Sequence, residues 1–150
     1  MPHSFACLHY HLIFSTKHRL PQITPDFAGR LYEYMGGIVR AENGCLLTSG
    51  GMPDHVHLLV SLPAKPSVAD CLRIIKANAS KWVHETFPDK HAFAWQEGYG
   101  AFSVSLSNDG NVERYIARQE EHHRRMTFQE EFLEFLKRHR VPYDEKYIWD

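Results

Sequence analysis

The chain has 150 residues, 43% of them hydrophobic and 23% charged, an ordinary globular composition of a size that predicts a single domain over residues 1–150. Seventeen Lys and Arg against 18 Asp and Glu give a net charge of −1, so no global basic field marks a nucleic-acid partner, and any such binding must come from a local patch. There is no run of 18 apolar residues, and the N-terminal MPHSFACLHYHLIF lacks a small-residue cleavage site. The expectation is therefore a cytoplasmic protein with neither a span nor a signal peptide. Cys7, Cys45 and Cys71 are widely spaced and odd in number, which argues against a disulfide framework or a thiolate zinc site and predicts small core residues. Histidine is the unusual residue, with 11 copies.

Residues 5–15 alternate as a strand does, with Ala6, Leu8, Tyr10, Leu12 and Phe14 on one face and Cys7, His9, His11 and Ile13 on the other. A proline-bearing loop follows, and Thr24 caps a helix that opens on Pro25 and Asp26. Phe27, Leu31, Met35, Ile38 and Val39 form its buried stripe, and Gly44 is expected to end it. CLLTS and HVHLLVSL read as two strands joined by GGMPD. Between Val68 and Phe87, the residues Val68, Leu72, Ile75, Ala79 and Val83 recur at helical spacing, and Pro88 terminates that helix. FAWQ and AFSVSLS read as two short strands around EGYG. Asn108 to Asn111 turn the chain into a helix starting near Val112 and running to His122 or His123. Thr127 and Glu130 form a capping box for a last helix bearing Phe128, Phe132, Phe135 and Leu136, and the aromatic tail VPYDEKYIWD is expected to dock. The order β-α-β-β-α-β-β-α-α predicts an α+β fold in which helices pack on an antiparallel sheet of about five strands.

Two features carry chemistry. His55 and His57 lie two apart in PDHVHLLV, so on a strand both imidazoles project from one face, about 6 to 7 Å apart at the backbone, while Val56, Leu58 and Val60 point into the core. Two neutral imidazoles side by side can chelate one divalent ion and leave its other positions open; a half-exposed strand bearing two histidines is an equally good reading of the pair alone. Replacing either histidine is expected to leave the fold intact, because the core face is untouched. The second feature is Tyr115-Ile-Ala-Arg-Gln119 on a helix, where residues i and i+4 share a face. The Gln119 amide oxygen can be a third metal ligand and the Tyr115 hydroxyl can address what the metal holds. A tyrosine there is more often core, but a phenol beside a cation that polarises a phosphate has a use as a nucleophile.

HVH after a Pro-Asp turn, followed about 60 residues later by helical Y-x-x-x-Q, resembles the single-tyrosine transposases of the HUH endonuclease superfamily, the small insertion-sequence type and its REP-associated relatives. The resemblance extends through YHLIFSTKHRLP, PDHVHLLV, LRIIKANASKWVHETFP, FAWQEGYGAFSVS and the stretch from YIARQEEHHRRM to the aromatic tail. It implies a ferredoxin-like, RRM-like HUH fold with C-terminal helices carrying the catalytic tyrosine. It also implies a homodimeric, Mg²⁺- or Mn²⁺-dependent enzyme that cleaves and rejoins single-stranded DNA at hairpin ends through a 5′-phosphotyrosine, leaving a free 3′-hydroxyl. In this sequence it assigns Tyr115 as nucleophile and His55, His57 and Gln119 as metal ligands. His122 and His123 are alternates for Gln119, and His9 and His11 can line the same side of the sheet. Two imidazoles and one amide make a neutral ligand set, which should favour Mn²⁺ over Mg²⁺. Lys17, Arg19, Arg73, Lys76, Lys81, Arg124 and Arg125 are the candidate DNA contacts, with Trp82, Trp95 and Tyr99 available to stack on bases. The competing readings are a non-catalytic hairpin-binding module, a phosphoesterase that uses water in place of tyrosine, and a domesticated enzyme with the same chemistry.

Overall fold

The computed structural model describes residues 4–150; the first three residues of the N-terminal stretch considered above lie outside it. Strands β1 (His9–Ser15), β2 (Cys45–Met52), β3 (His55–Ser61) and β4 (Gly100–Val104) form one antiparallel sheet in the order β2-β3-β1-β4. Helices α1 (Pro25–Ala41) and α2 (Val68–Thr86) follow β1 and β3, and α3 (Asp109–Ala117), α4 (Gln119–His122) and α5 (Phe128–Arg138) follow β4. The α+β plan is as the sequence pattern implies. No helix of the described residues is long and apolar enough to cross a membrane.

The expected five strands are four. FAWQ contributes only an isolated bridge, Trp95 opposite Thr16, because β1 leads directly into a tight turn at Lys17–Arg19. There the Gln96 side chain rather than a backbone carbonyl takes the Ser15 N–H, at 2.6 Å. Residues 5–8, placed in the first strand by alternation, precede it. Helix α3 starts at Asp109 rather than near Val112, and it does not run on: Arg118, with φ −101 and ψ 20, separates it from α4. At the end of α1 the left-handed residue is Asn43, at φ 65. Gly44 is needed for a different reason, since a Cβ there would lie 2.6 Å from the Ser61 carbonyl oxygen. Of the three cysteines only Cys71 is core; Cys7 and Cys45 are exposed, one ahead of β1 and the other opening the edge strand β2.

Both faces of the sheet are covered. Leu12, Phe14, Val56, Leu58 and Val60 pack with Phe27, Leu31, Met35 and Val39 of α1 and Leu72, Ile75, Ala79 and Val83 of α2 in the larger core. On the opposite face Ile13 and Phe102 meet Phe128, Phe132 and Leu136 of α5, with Tyr143 and Trp149 of the docked tail at the margin. The α5 N-terminus has the capping box read from the sequence, Thr127 with Glu130, which fixes where that helix begins and hence which residues face the sheet.

Candidate active site

His55 and His57 share a face of β3, as period-2 geometry requires, but neither is half-exposed: both are completely buried under α3, α4 and α5. At Gly50 of β2 a Cβ would lie 2.9 Å from the Ile116 carbonyl oxygen, so the bare glycine lets the end of α3 rest on the sheet backbone. That close approach delivers Tyr115 and Gln119 to the histidine face.

The His55 Nδ1 lies 2.7 Å from Asp54 Oδ1, and its Nε2 lies 3.0 Å from Gln119 Oε1. His57 is held through Nδ1 by His11 Nε2 at 2.7 Å, while its Nε2 meets Glu131 Oε1 at 2.9 Å. His123 places Nδ1 against the Met126 carbonyl at 2.9 Å and Nε2 against Gln119 Oε1 at 2.9 Å and Glu131 Oε1 at 3.2 Å. Gln119 Nε2 donates to Glu131 Oε2 at 3.1 Å, the Tyr115 hydroxyl donates to the same oxygen, and His122 Nε2 lies 3.1 Å from that hydroxyl. The hydroxyl, the Gln119 amide and the two imidazoles of β3 thus converge within one chain, despite the break at Arg118. His11 joins them as a partner of His57; His9 turns instead to Asp109 at 2.8 Å.

One ligand atom from each of His55, His57, His123 and Glu131 lies within 4.8 Å of the others, a grouping able to hold a metal ion. The hydrogen-bond inventory fits a cation. Both ring nitrogens of His55 and both of His123 face oxygen acceptors, yet a neutral imidazole carries one N–H. Meeting all four contacts takes added positive charge, as protons or as a metal at the converging Nε2 atoms. Asp54 and the Met126 carbonyl, by taking the Nδ1 hydrogens, leave those Nε2 lone pairs for a metal.

Burial lowers His57 to about 4, against the pull of Glu131, and lowers His11 to about 3; both are neutral imidazoles at pH 7. Burial works against a charged His123, but the hydrogen bond and charge of Glu131 outweigh it and raise His123. Burial would likewise raise Glu131, yet hydrogen bonds from His123, His57 and Tyr115 hold it well below the usual carboxylate range. Tyr115 is raised above an ordinary phenol by burial and by its bond to Glu131.

The neutral group of two histidines and an amide expected from the sequence is joined in the structure by the carboxylate of Glu131, which meets His57, His123, Gln119 and Tyr115. A signal for it exists in the sequence. Glu131 falls three residues after Phe128 and one before Phe132, on the apolar stripe of α5, where a charge has no place unless it meets partners inside.

The candidate cations are scattered. An open cleft of about 820 Å³ runs past His123 between His18, Arg19 and the Arg124–Gln129 segment, so Arg19, Arg124 and Arg125 share one border of the site. Arg19 also sits 5.6 Å over the Trp149 ring. Lys17, Arg73 and Lys81 are exposed, the latter two on α2, on the far face of the sheet. Lys76, expected among the DNA contacts, instead spends its three donors on the carbonyls of Gln96, Glu97 and Gly98, at 2.6, 3.1 and 3.0 Å. Trp82 stacks on Tyr34 at 4.9 Å and Trp95 lies edge-on to Phe14; Tyr99 is exposed.

Residues 4–119 match the family described as "Transposase IS200 like". The chain belongs to that family. It is 28% identical over 118 residues to the ISDra2 transposase TnpA of Deinococcus radiodurans, covering 75% of this chain and 84% of the relative. It is 28% identical over 119 residues to the IS200 transposase of Salmonella typhimurium, covering 73% of this chain and 75% of the relative. Among solved structures, a Deinococcus radiodurans protein described as a transposase superposes with a TM-score of 0.65 at 25% identity, over 79% of this chain and 95% of its own. The fold is shared also with a REP-associated tyrosine transposase bound to a REP hairpin, with a TM-score of 0.61 at 13% identity, over 82% of this chain and 73% of the other. His122, His123 and Glu131 lie beyond the residues that match the family.

Proposed function

We propose that this transposase-family chain cleaves and rejoins single-stranded DNA at hairpin-flanked sites through a covalent bond between Tyr115 and a 5′-phosphate. The observation that supports this most is the convergence in one chain of the Tyr115 hydroxyl with His55, His57 and Gln119, the residues the family resemblance assigns to nucleophile and metal. His55, His57 and Gln119 would hold the ion, Mg²⁺ or Mn²⁺, with His123 beside them; when bound it supplies positive charge at the scissile phosphate and at the departing 3′-oxygen. The rest falls to the chain's own groups. Glu131 and His122 fix the Tyr115 hydroxyl, whose hydrogen already points at Glu131 Oε2, the acceptor beside it. Attack forms the Tyr115 O–P bond as the P–O3′ bond breaks, the phenolic proton leaving through Glu131 Oε2 and His122 beside it and the departing 3′-oxygen taking one from solvent, so bonds and protons balance and a returning 3′-hydroxyl reverses the step without ATP. No nucleotide-binding loop is required.

The cleft bordered by Arg19, Arg124 and Arg125 supports a path for the DNA backbone up to His123. The hairpin carried by the REP-associated neighbour supports a folded DNA end as the recognised shape. Each site makes one break, and excision needs two, so the working form is a homodimer, checked by light scattering with and without hairpin DNA.

The experiment is a denaturing gel of the protein with a 5′-hairpin-flanked single strand and Mn²⁺. Wild type should shift a labelled downstream fragment into a protein adduct, and Tyr115→Phe, which removes one oxygen and keeps the ring, should form none. Cleavage by wild type with no adduct would transfer the case to a water-using phosphoesterase.

A further inference from the structure

Glu131 is given no part in holding the metal above, lies outside the family-matched residues, and is completely buried, so its partners need an explanation. Its two oxygens divide the site. Oε1 faces nitrogens only: His57 at 2.9 Å, His123 at 3.2 Å and His55 at 3.5 Å. Oε2 takes the Tyr115 hydroxyl and the Gln119 amide, with His122 at 3.4 Å. This carboxylate reaches the Nε2 atoms of three histidines with one oxygen and the phenol with the other.

We infer that Glu131 is an anionic ligand of the metal through Oε1 and the positioning residue for Tyr115 through Oε2, so that one side chain ties the metal centre to the phenol. This rests on the proposed metal-dependent reading and deepens it. A carboxylate oxygen is the donor that Mg²⁺ and Mn²⁺ prefer, and imidazoles with an amide alone lack it.

The test uses the full chain and Mn²⁺ alone as the probe. In a calorimetric or paramagnetic-resonance titration, Glu131→Gln, which keeps the shape and removes the charge, should weaken Mn²⁺ binding by about ten-fold or more. Tyr115→Phe should bind Mn²⁺ within about two-fold of wild type, because the phenol is not among the ligands. Equal Mn²⁺ affinity in Glu131→Gln overturns the assignment. Should that variant fail to fold, a crystal of the wild-type chain grown with Mn²⁺ decides the same point. Glu131 Oε1 at about 2.0–2.3 Å from the ion supports the inference, and an ion held by imidazoles with the carboxylate turned away overturns it. The two levels fail separately: Mn²⁺ binding that depends on Glu131 without any DNA adduct sinks the proposed function alone, and an adduct with Glu131-independent Mn²⁺ binding sinks this inference alone.

Discussion

The two faces of β3 are buried to the same degree and hold entirely different environments. Val56, Leu58 and Val60 enter the larger apolar core against α1 and α2. His55 and His57 enter a polar interior whose buried nitrogens and oxygens are matched by α3, α4, α5 and the neighbouring strand. Depth alone therefore does not make a core position. What separates the faces is how each is satisfied: dispersion and exclusion of water on one, a closed network of directional partners on the other. The apolar face can lose a methyl group and repack, but the polar face fails as a unit.

The largest expected effect comes from breaking the polar face. His57→Ala should abolish adduct formation and also destabilise the protein by about 3–5 kcal/mol, because it strips a partner from the buried Glu131 and from His11. The expectation from sequence that this substitution spares the fold followed from the core face being untouched, and it overlooked that the other face is also interior. Chemical denaturation of the purified variant, with adduct formation measured below its unfolding transition, separates the two losses. Leu58→Ala on the apolar face should cost a similar stability, about 2–5 kcal/mol, yet leave adduct formation per folded molecule within about two-fold of wild type. If Leu58→Ala removed activity at temperatures where it is folded, the two faces would not be independent.

Much of the site was legible in the sequence because its geometry is local. A strand repeats every two residues, so HVH had to present two imidazoles together. A helix repeats every 3.6, so Tyr115 and Gln119 were neighbours whatever the exact end of α3. Glu131 escaped because its place on the apolar stripe of α5 signals a buried charge without saying what that charge meets, and its partners lie on β3, α3 and the α4 end. FAWQ was read as a strand flanking the EGYG turn, but strand formation needs a partner edge, and there β1 has already turned away, leaving one bridge. Lys76 read as a phosphate contact because sequence shows a charge and not the three carbonyls waiting for it.

A smaller effect distinguishes the faces through pH. His11 and His57 are buried with values near 3 and 4, below the ordinary 6.5, so between pH 6.5 and about 4 the unfolded chain binds protons that the folded chain refuses. Their contribution is fully present above 6.5 and is lost as pH falls through that window. His123, raised by Glu131, acts in the opposite sense, contributing stability at acid pH that fades as pH rises through its folded value. With two groups against one, the metal-free protein should melt at a lower temperature at pH 5 than at pH 7.5. A melting temperature that rises toward acid would contradict the neutral state of the His11–His57 pair.

The most direct measurement locates the covalent bond. After reaction with hairpin-flanked single-stranded DNA and Mn²⁺, nuclease and protease digestion followed by peptide mass spectrometry should find the nucleotide remnant on Tyr115 alone. A remnant on Tyr143 or Tyr147 in the aromatic tail, or cleaved DNA with a free 5′-phosphate and no modified peptide, would contradict the account.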